Sequence, residues 1–184
     1  GALEFAIVTP FTEKFSSDTA PLPSNYKYAL RGNQAVSVGA WQHVAVTIDG
    51  FEAALYLNGE KVASSPVYNV EPRMLLETTI NYIGRSRSAS HPYLAGSVDD
   101  FRIYNRALTD AEIAALAAGA ESPDESPSGA ELLLHYDMKD VSGATIRDQT
   151  GHFDGIWRNP DAAEWIVTND AGGISFTGGS TAPY

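Results

Sequence analysis

The chain has 184 residues, enough to bury a core without covalent staples, and its lack of Cys removes disulfides, thiolate nucleophiles and Cys-based metal sites. Twelve Lys plus Arg against 23 Asp plus Glu leave a net charge of −11, which repels phosphate backbones and anionic head groups and argues against a nucleic-acid or membrane partner. No apolar run approaches the roughly 18 residues that span a bilayer, and any metal must be held by oxygen or imidazole, which favours Ca²⁺ and Mg²⁺.

Gly1 leads straight into the strand-like run Ala2 to Val8 without a signal-peptide pattern, so the start reads as an internal boundary of a longer protein. Val44 to Ile48 stops at Asp49-Gly50, and Ala54 to Leu57 stops at Asn58-Gly59 before Lys61-Val62-Ala63. Asn-Gly and Asp-Gly accept the positive φ of tight hairpin turns, which predicts an antiparallel meander. Further strands are expected at Thr79 to Ile83, Gly96 to Tyr104, Leu132 to Asp137 and Gly173 to Phe176. One helix is predicted from about Asp110 to Ala118, with Thr109 as N-cap, Glu112 completing a capping box and Gly119 as the stop. The acidic Ser/Pro tract 121–129 has no large apolar residue and reads as a linker.

Four motifs in order mark a family. Trp41-Gln42-His43-Val44-Ala45-Val46 is followed by Leu55-Tyr56-Leu57-Asn58-Gly59, then Asn81-Tyr82-Ile83-Gly84-Arg85, then Gly96-Ser97-Val98-Asp99-Asp100-Phe101-Arg102-Ile103-Tyr104-Asn105-Arg106-Ala107-Leu108. The series, closed by Thr109 to Ile113, resembles the laminin-G-like, concanavalin A-like modules appended to secreted bacterial glycoside hydrolases. The resemblance implies an all-β, antiparallel two-sheet jelly-roll sandwich with one short helix. Residues 132–137, 140–143, 148–155 and 172–179 resemble the opening strand, first loop and second strand of such a module, so the chain carries the end of the pattern first and its beginning last. Residues 1–118 therefore read as a module lacking its opening strands, 119–130 as the linker, and 131–184 as opening strands that complete the same sandwich or begin a second one.

Leu132 to Asp137 is expected to pair antiparallel with Gly96 to Tyr104, within the chain or by exchange with a second copy as a strand-exchanged dimer. The linker from Ala120 to Ala130 reaches roughly 36 to 40 Å when extended, enough to cross a small sandwich.

Retaining glucanases of this fold carry two carboxylates at period-two spacing on one strand, and no such run occurs here. Asp99 and Asp100 are adjacent and face opposite sides of a regular strand. The four His residues show no catalytic spacing to Ser or Asp, so no catalytic residue is assigned. Asp99 shares a face with Phe101 and Ile103 if the strand is regular, and a core-facing carboxylate needs a partner. The resemblance lays the loop containing Asp148, Gly151 and His152 against it, implying a structural Ca²⁺ held by Asp99, Asp148, Gly151 and His152. The plainer alternative has Asp99 capping backbone N–H groups or pairing with Arg102 or Arg106.

Trp41, Phe101, Ile103 and Phe176 are expected in the core, whereas Tyr93 and Trp157 are candidates for sugar stacking and Arg85 for hydrogen bonding to a glycan. The expected function is that of a non-catalytic carbohydrate-binding or accessory module of an extracellular or cell-surface glycoside hydrolase, with a polysaccharide and the neighbouring domains as partners. The other reading is a spacer or protein-interaction module that packs on a catalytic domain and binds no glycan. An exposed aromatic platform beside polar groups favours binding, and a broad apolar patch favours packing.

Overall fold

The computed structural model describes residues 1–8, 27–66, 81–84, 94–120, 131–139, 141–142, 144–156, 163–168 and 171–177. They form antiparallel strands and one short helix, as expected for a concanavalin A-like β-sandwich. Two compact units emerge, Gly1–Thr78 with Arg106–Ala130, and Thr79–Asn105 with Glu131–Tyr184. The division does not follow chain order, because each unit joins an early segment to a late one.

In the first unit, β1 (Ala2–Val8) pairs with β2 (Lys27–Ala35). The predicted meander is present as β3 (Val44–Asp49), β4 (Glu52–Leu57) and β5 (Glu60–Ser65), with Val44 opposite Leu57 and Ala54 opposite Ser64. The turns carry the anticipated backbone: Gly50 has φ +57°, Asn58 +51° and Gly59 +83°. Period two puts Ala53, Leu55 and Leu57 on one face of β4, where they meet Leu30 of β2 and Val62 of β5, flanked by Leu3, Phe5, Val46 and Ile48. This is the core of the unit.

The opposite face of β4 is buried as well, so the whole stretch from Ala53 to Leu57 is inaccessible. Tyr56 on that face donates from its hydroxyl to Asp110 Oδ1 at 2.7 Å, at the first turn of α1 (Asp110–Ala117). Lys61 Nζ reaches the same oxygen at 2.9 Å and lies 5.5 Å from the centre of the Tyr56 ring. Burial, and then the hydrogen bond to Asp110, raise the Tyr56 pKa, while the bonds from Lys61 and Tyr56 hold the Asp110 carboxyl below its ordinary range.

The predicted capping box is complete, with Thr109 Oγ1 accepting from the Glu112 N–H at 3.3 Å and Glu112 Oε2 accepting from the Thr109 N–H at 2.8 Å. The helix ends before Gly119 at φ +86°. Gly59 has a second reason to be glycine: a Cβ there would lie 3.1 Å from both Ala114 Cα and Ala117 Cβ of α1. At eight residues, α1 is not long enough to cross a membrane.

The second unit is assembled from distant pieces. β6 (Ala95–Val98) pairs with β13 (Ala171–Thr177), which also pairs with β12 (Ala163–Thr168). β7 (Phe101–Tyr104) pairs with β8 (Leu132–Tyr136) in the register Phe101 opposite Tyr136 and Ile103 opposite Leu134, and Phe101 stacks on Tyr136 with ring centroids 6.3 Å apart. Residues 132–136 thus make the antiparallel partnership anticipated for them with the strand ending at Tyr104. A small sheet joins β9 (Val141–Ser142), β10 (Thr145–Ile146) and β11 (Gly155–Ile156).

Two strand expectations need correction. Gly96 to Tyr104 is not one regular strand: Asp99 and Asp100 interrupt it, and Asp100 turns into the left-handed region at φ +52°. The kink passes the chain from partner β13 to partner β8, so the face shared by Phe101 and Ile103 cannot be extended to Asp99 by counting. Residues 81–83 lie outside any strand, and the chain there turns at Gly84 with φ +83°. The linker 121–130 lies outside the described residues.

Candidate functional site

Where β2 gives way to β3, the loop 36–43 is fastened at its end, on His43. Asn58, in the left-handed conformation that Asn tolerates, accepts the His43 N–H on Oδ1 at 3.0 Å and donates its own N–H to the His43 carbonyl at 2.8 Å. Within the loop Gly39 supplies a turn at φ +79°, and Gln42 Oε1 accepts the Ser37 N–H at 3.3 Å. Among the described residues, the Gln42 Nε2 group is left without a partner.

Trp41 sits between these anchors with 59% of its surface exposed, and Val38 beside it is exposed almost completely. This corrects the core assignment of Trp41. The first ladder pair is Val44 with Leu57, so residue 41 precedes the strand and has no cross-strand neighbour to cover it. Gly39, two residues earlier, is the sequence signal that could have placed Trp41 in a turn. An indole presented on an anchored backbone offers a flat apolar face with an N–H at its edge, the features that stack on a sugar ring and bond to its hydroxyls. Ile103, the other residue misassigned to the core, is 45% exposed, while Phe101 and Phe176 are half-buried.

In the second unit the loop from Asp148 to Asp154 is organised by one carboxylate. Asp148 is 2% exposed and accepts five hydrogen bonds. Oδ1 takes the N–H groups of His135 at 2.9 Å and Thr150 at 3.1 Å; Oδ2 takes the Thr150 hydroxyl at 2.6 Å and the N–H groups of His152 at 3.2 Å and Phe153 at 3.0 Å. Burial by itself would raise the Asp148 pKa, but these donors outweigh it and hold the carboxyl far below the ordinary carboxylate range. Its own N–H donates to Asp154 Oδ1 at 2.9 Å, and the Gly151 N–H closes the turn on the Asp148 carbonyl at 2.9 Å. Gly151 is there for its φ of +79°. His152 is exposed, with Nδ1 3.3 Å from Thr150 Oγ1.

Asp99 has different surroundings. Burial raises its pKa, opposed by the hydrogen bond from the Asp100 N–H, and its charged neighbours are Asp100, Lys139 and Asp137. Its Oδ1 is buried and has no hydrogen-bond partner. The neighbouring Asp100 Oδ1 instead accepts from Arg102 Nε at 2.7 Å and lies 2.9 Å from His135 Nε2 across the β7–β8 ladder.

Of the expected calcium ligands, the Asp148 carboxylate has little left to offer a cation. Two carboxylate oxygens offer about four lone-pair sites, and on Asp148 five N–H and O–H donors already occupy them. Among the described residues no group of three or more acidic or His side chains is gathered for a metal. Tyr93, Trp157 and Arg85, the expected glycan contacts, lie outside the described residues.

A family model described as the concanavalin A-like lectin/glucanases superfamily matches residues 15–114. No curated protein matches the chain. Among solved structures, it is similar to residues 221–444 of an S-layer domain-containing protein from Clostridium thermocellum ATCC 27405, with 34% sequence identity and a TM-score of 0.40. That similarity covers 64% of this chain and 52% of the other, so the chain spans about half the length of the structure it matches.

Proposed function

Because the chain belongs to the concanavalin A-like lectin/glucanase superfamily, we propose that it is a non-catalytic carbohydrate-binding or accessory module of a secreted or cell-surface multimodular glycoside hydrolase, with Trp41 as its sugar-stacking platform. The observation that carries the reading is the indole itself, more than half exposed on a loop whose backbone is clamped by Asn58. A rigid platform loses little conformational freedom when a sugar docks. Among the described residues two of the carboxylates are committed elsewhere: Asp100 is tied to Arg102 and His135, and Asp148 is saturated with hydrogen bonds.

Affinity electrophoresis of the chain against arabinan, xylan and β-glucan tests this. Retention on one of them that falls about tenfold in Trp41→Ala supports the reading, a loss of about 1.4 kcal/mol. Equal mobility with and without every polysaccharide sinks it. Release of reducing sugar that disappears in a carboxylate variant would make the chain an enzyme instead.

One observation favours the spacer reading. Phe153 and Ile156 in the second unit are 62% and 66% exposed, and apolar side chains of this kind mark packing surfaces when they form a patch. Solubility that improves in Phe153→Ser, with polysaccharide retention absent from the parent chain, would decide for that alternative.

A further inference from the structure

Resting on the carbohydrate reading of Trp41, the charges gathered at that end of the first unit define the ligand further: we infer that the platform takes neutral polysaccharides and rejects those bearing uronate or sulfate groups. The turn Asn58-Gly59 brings three elements together. Asn58 clamps His43 of the Trp41 loop, Gly59 abuts Ala114 and Ala117 of α1, and β5 begins at Glu60. The described charged side chains on the turn, the strand start and the helix start are Glu60, Lys61, Arg106, Asp110 and Glu112.

Both cations are committed. Lys61 Nζ is 2.9 Å from Asp110 Oδ1, and Arg106 grips Glu112 with two bonds of 2.6 and 3.0 Å. Among the described residues Glu60 meets the Gln34 amide, at 3.4 Å, and no cation.

An acidic sugar needs a Lys or Arg that can meet its carboxylate or sulfate, in the strongest case through a two-pronged guanidinium contact. Among these described side chains three carboxylates stand with two cations, and each cation is already bonded to a carboxylate. None of the described cations on these elements is left open to a uronate, which would also approach against the field of a chain carrying −11 overall. A neutral pyranose asks only for an apolar face and hydroxyl partners. The indole provides the first, and the Gln42 Nε2 group stands in the same loop for the second.

The experiment compares polymers of similar backbone and different charge, using the whole chain. Retention is measured on hydroxyethylcellulose against carboxymethylcellulose, and on arabinan, xylan and β-glucan against polygalacturonate, at about 20 mM and about 500 mM NaCl, on either side of the ~10 Å screening length of 0.1 M salt. The expected result is retention on at least one neutral polymer that salt leaves unchanged. The charged counterparts should bind at least about tenfold more weakly at low salt, a gap that screening narrows.

Trp41→Ala should abolish most of the neutral retention and Trp41→Phe, which keeps a ring, should preserve part of it. Glu60→Lys should raise retention on the charged polymers. Tighter binding of polygalacturonate than of every neutral polymer at low salt overturns this inference and leaves the carbohydrate reading standing. Absence of retention on any polymer overturns both.

Discussion

The meander of the first unit and the sheets of the second are built from the same kind of strand, yet they close over very different lengths of chain. β3, β4 and β5 are joined by two-residue turns, and every pairing among them falls between Val44 and Ser65. In the second unit, Phe101 must find Tyr136 and Val98 must find Ile174. Local pairings form with little loop entropy, whereas distant ones must close a long loop before any contact compensates. The two units differ in what locks them as well. Apolar residues from three strands meet around Leu55 in the first, while Asp148 gathers the backbone of an entire loop in the second.

The sharpest way to break the comparison is to damage each lock and see which amides lose protection from hydrogen exchange. Leu55→Ala removes the side chain at the centre of the first core, 1% exposed, and should cost about 3 kcal/mol. Protection should fall first across Val44 to Ser65. Loss confined instead to residues 132–156 would mean that the Leu55 cluster does not control its own unit.

Asp148→Asn keeps the size of the side chain but turns an amide N–H₂ toward N–H donors, and should cost about 2 to 3 kcal/mol, with protection falling first around His135 and Thr150 to Phe153. Of the Leu55 cluster and the Asp148 loop, the loop is the one whose lock is a carboxylate and should respond to acid. The Asp148 pKa is depressed in the folded state, so its stabilisation is complete above the ordinary carboxylate range and drains away as the pH falls below about 4, where the unfolded chain takes up the proton first. Denaturation curves should therefore show a steeper acid limb for the parent chain than for Asp148→Asn. Equal limbs would remove the carboxylate from the account.

Tyr56→Phe tests the seam between sheet and helix in the first unit. It deletes one hydrogen bond to Asp110 and leaves Lys61 in place, so about 1 kcal/mol should be lost. The smallest effect is expected from a chelator. With the lone pairs of Asp148 occupied, excess EDTA should leave the melting temperature of both units unchanged. A fall in melting temperature that Ca²⁺ reverses would restore the cation set of Asp99 and Asp148.

What could be read from the residues alone follows the same division. The hairpin turns at Asp49-Gly50 and Asn58-Gly59, the capping box on α1, the all-β class and the partnership of residues 132–137 with the strand ending at Tyr104 were all legible, because each rests on local turn chemistry or on an apolar pattern seeking an unpaired edge. The sites were less legible. Counting by twos put Asp99 on the face of Phe101, and only the left-handed turn at Asp100 showed that the count is broken there. Asp148 was named through the family resemblance, but whether its oxygens meet a cation or five N–H and O–H groups depends on where the His135 backbone and the Thr150 to Phe153 turn lie, which no spacing encodes. The exposure of Trp41 was decided by register: the first cross-strand pair forms at Val44, so a residue read as the start of a meander strand is left facing water. Turn type and capping are properties of a few adjacent residues, but burial and hydrogen-bond saturation are properties of what the rest of the chain brings alongside them.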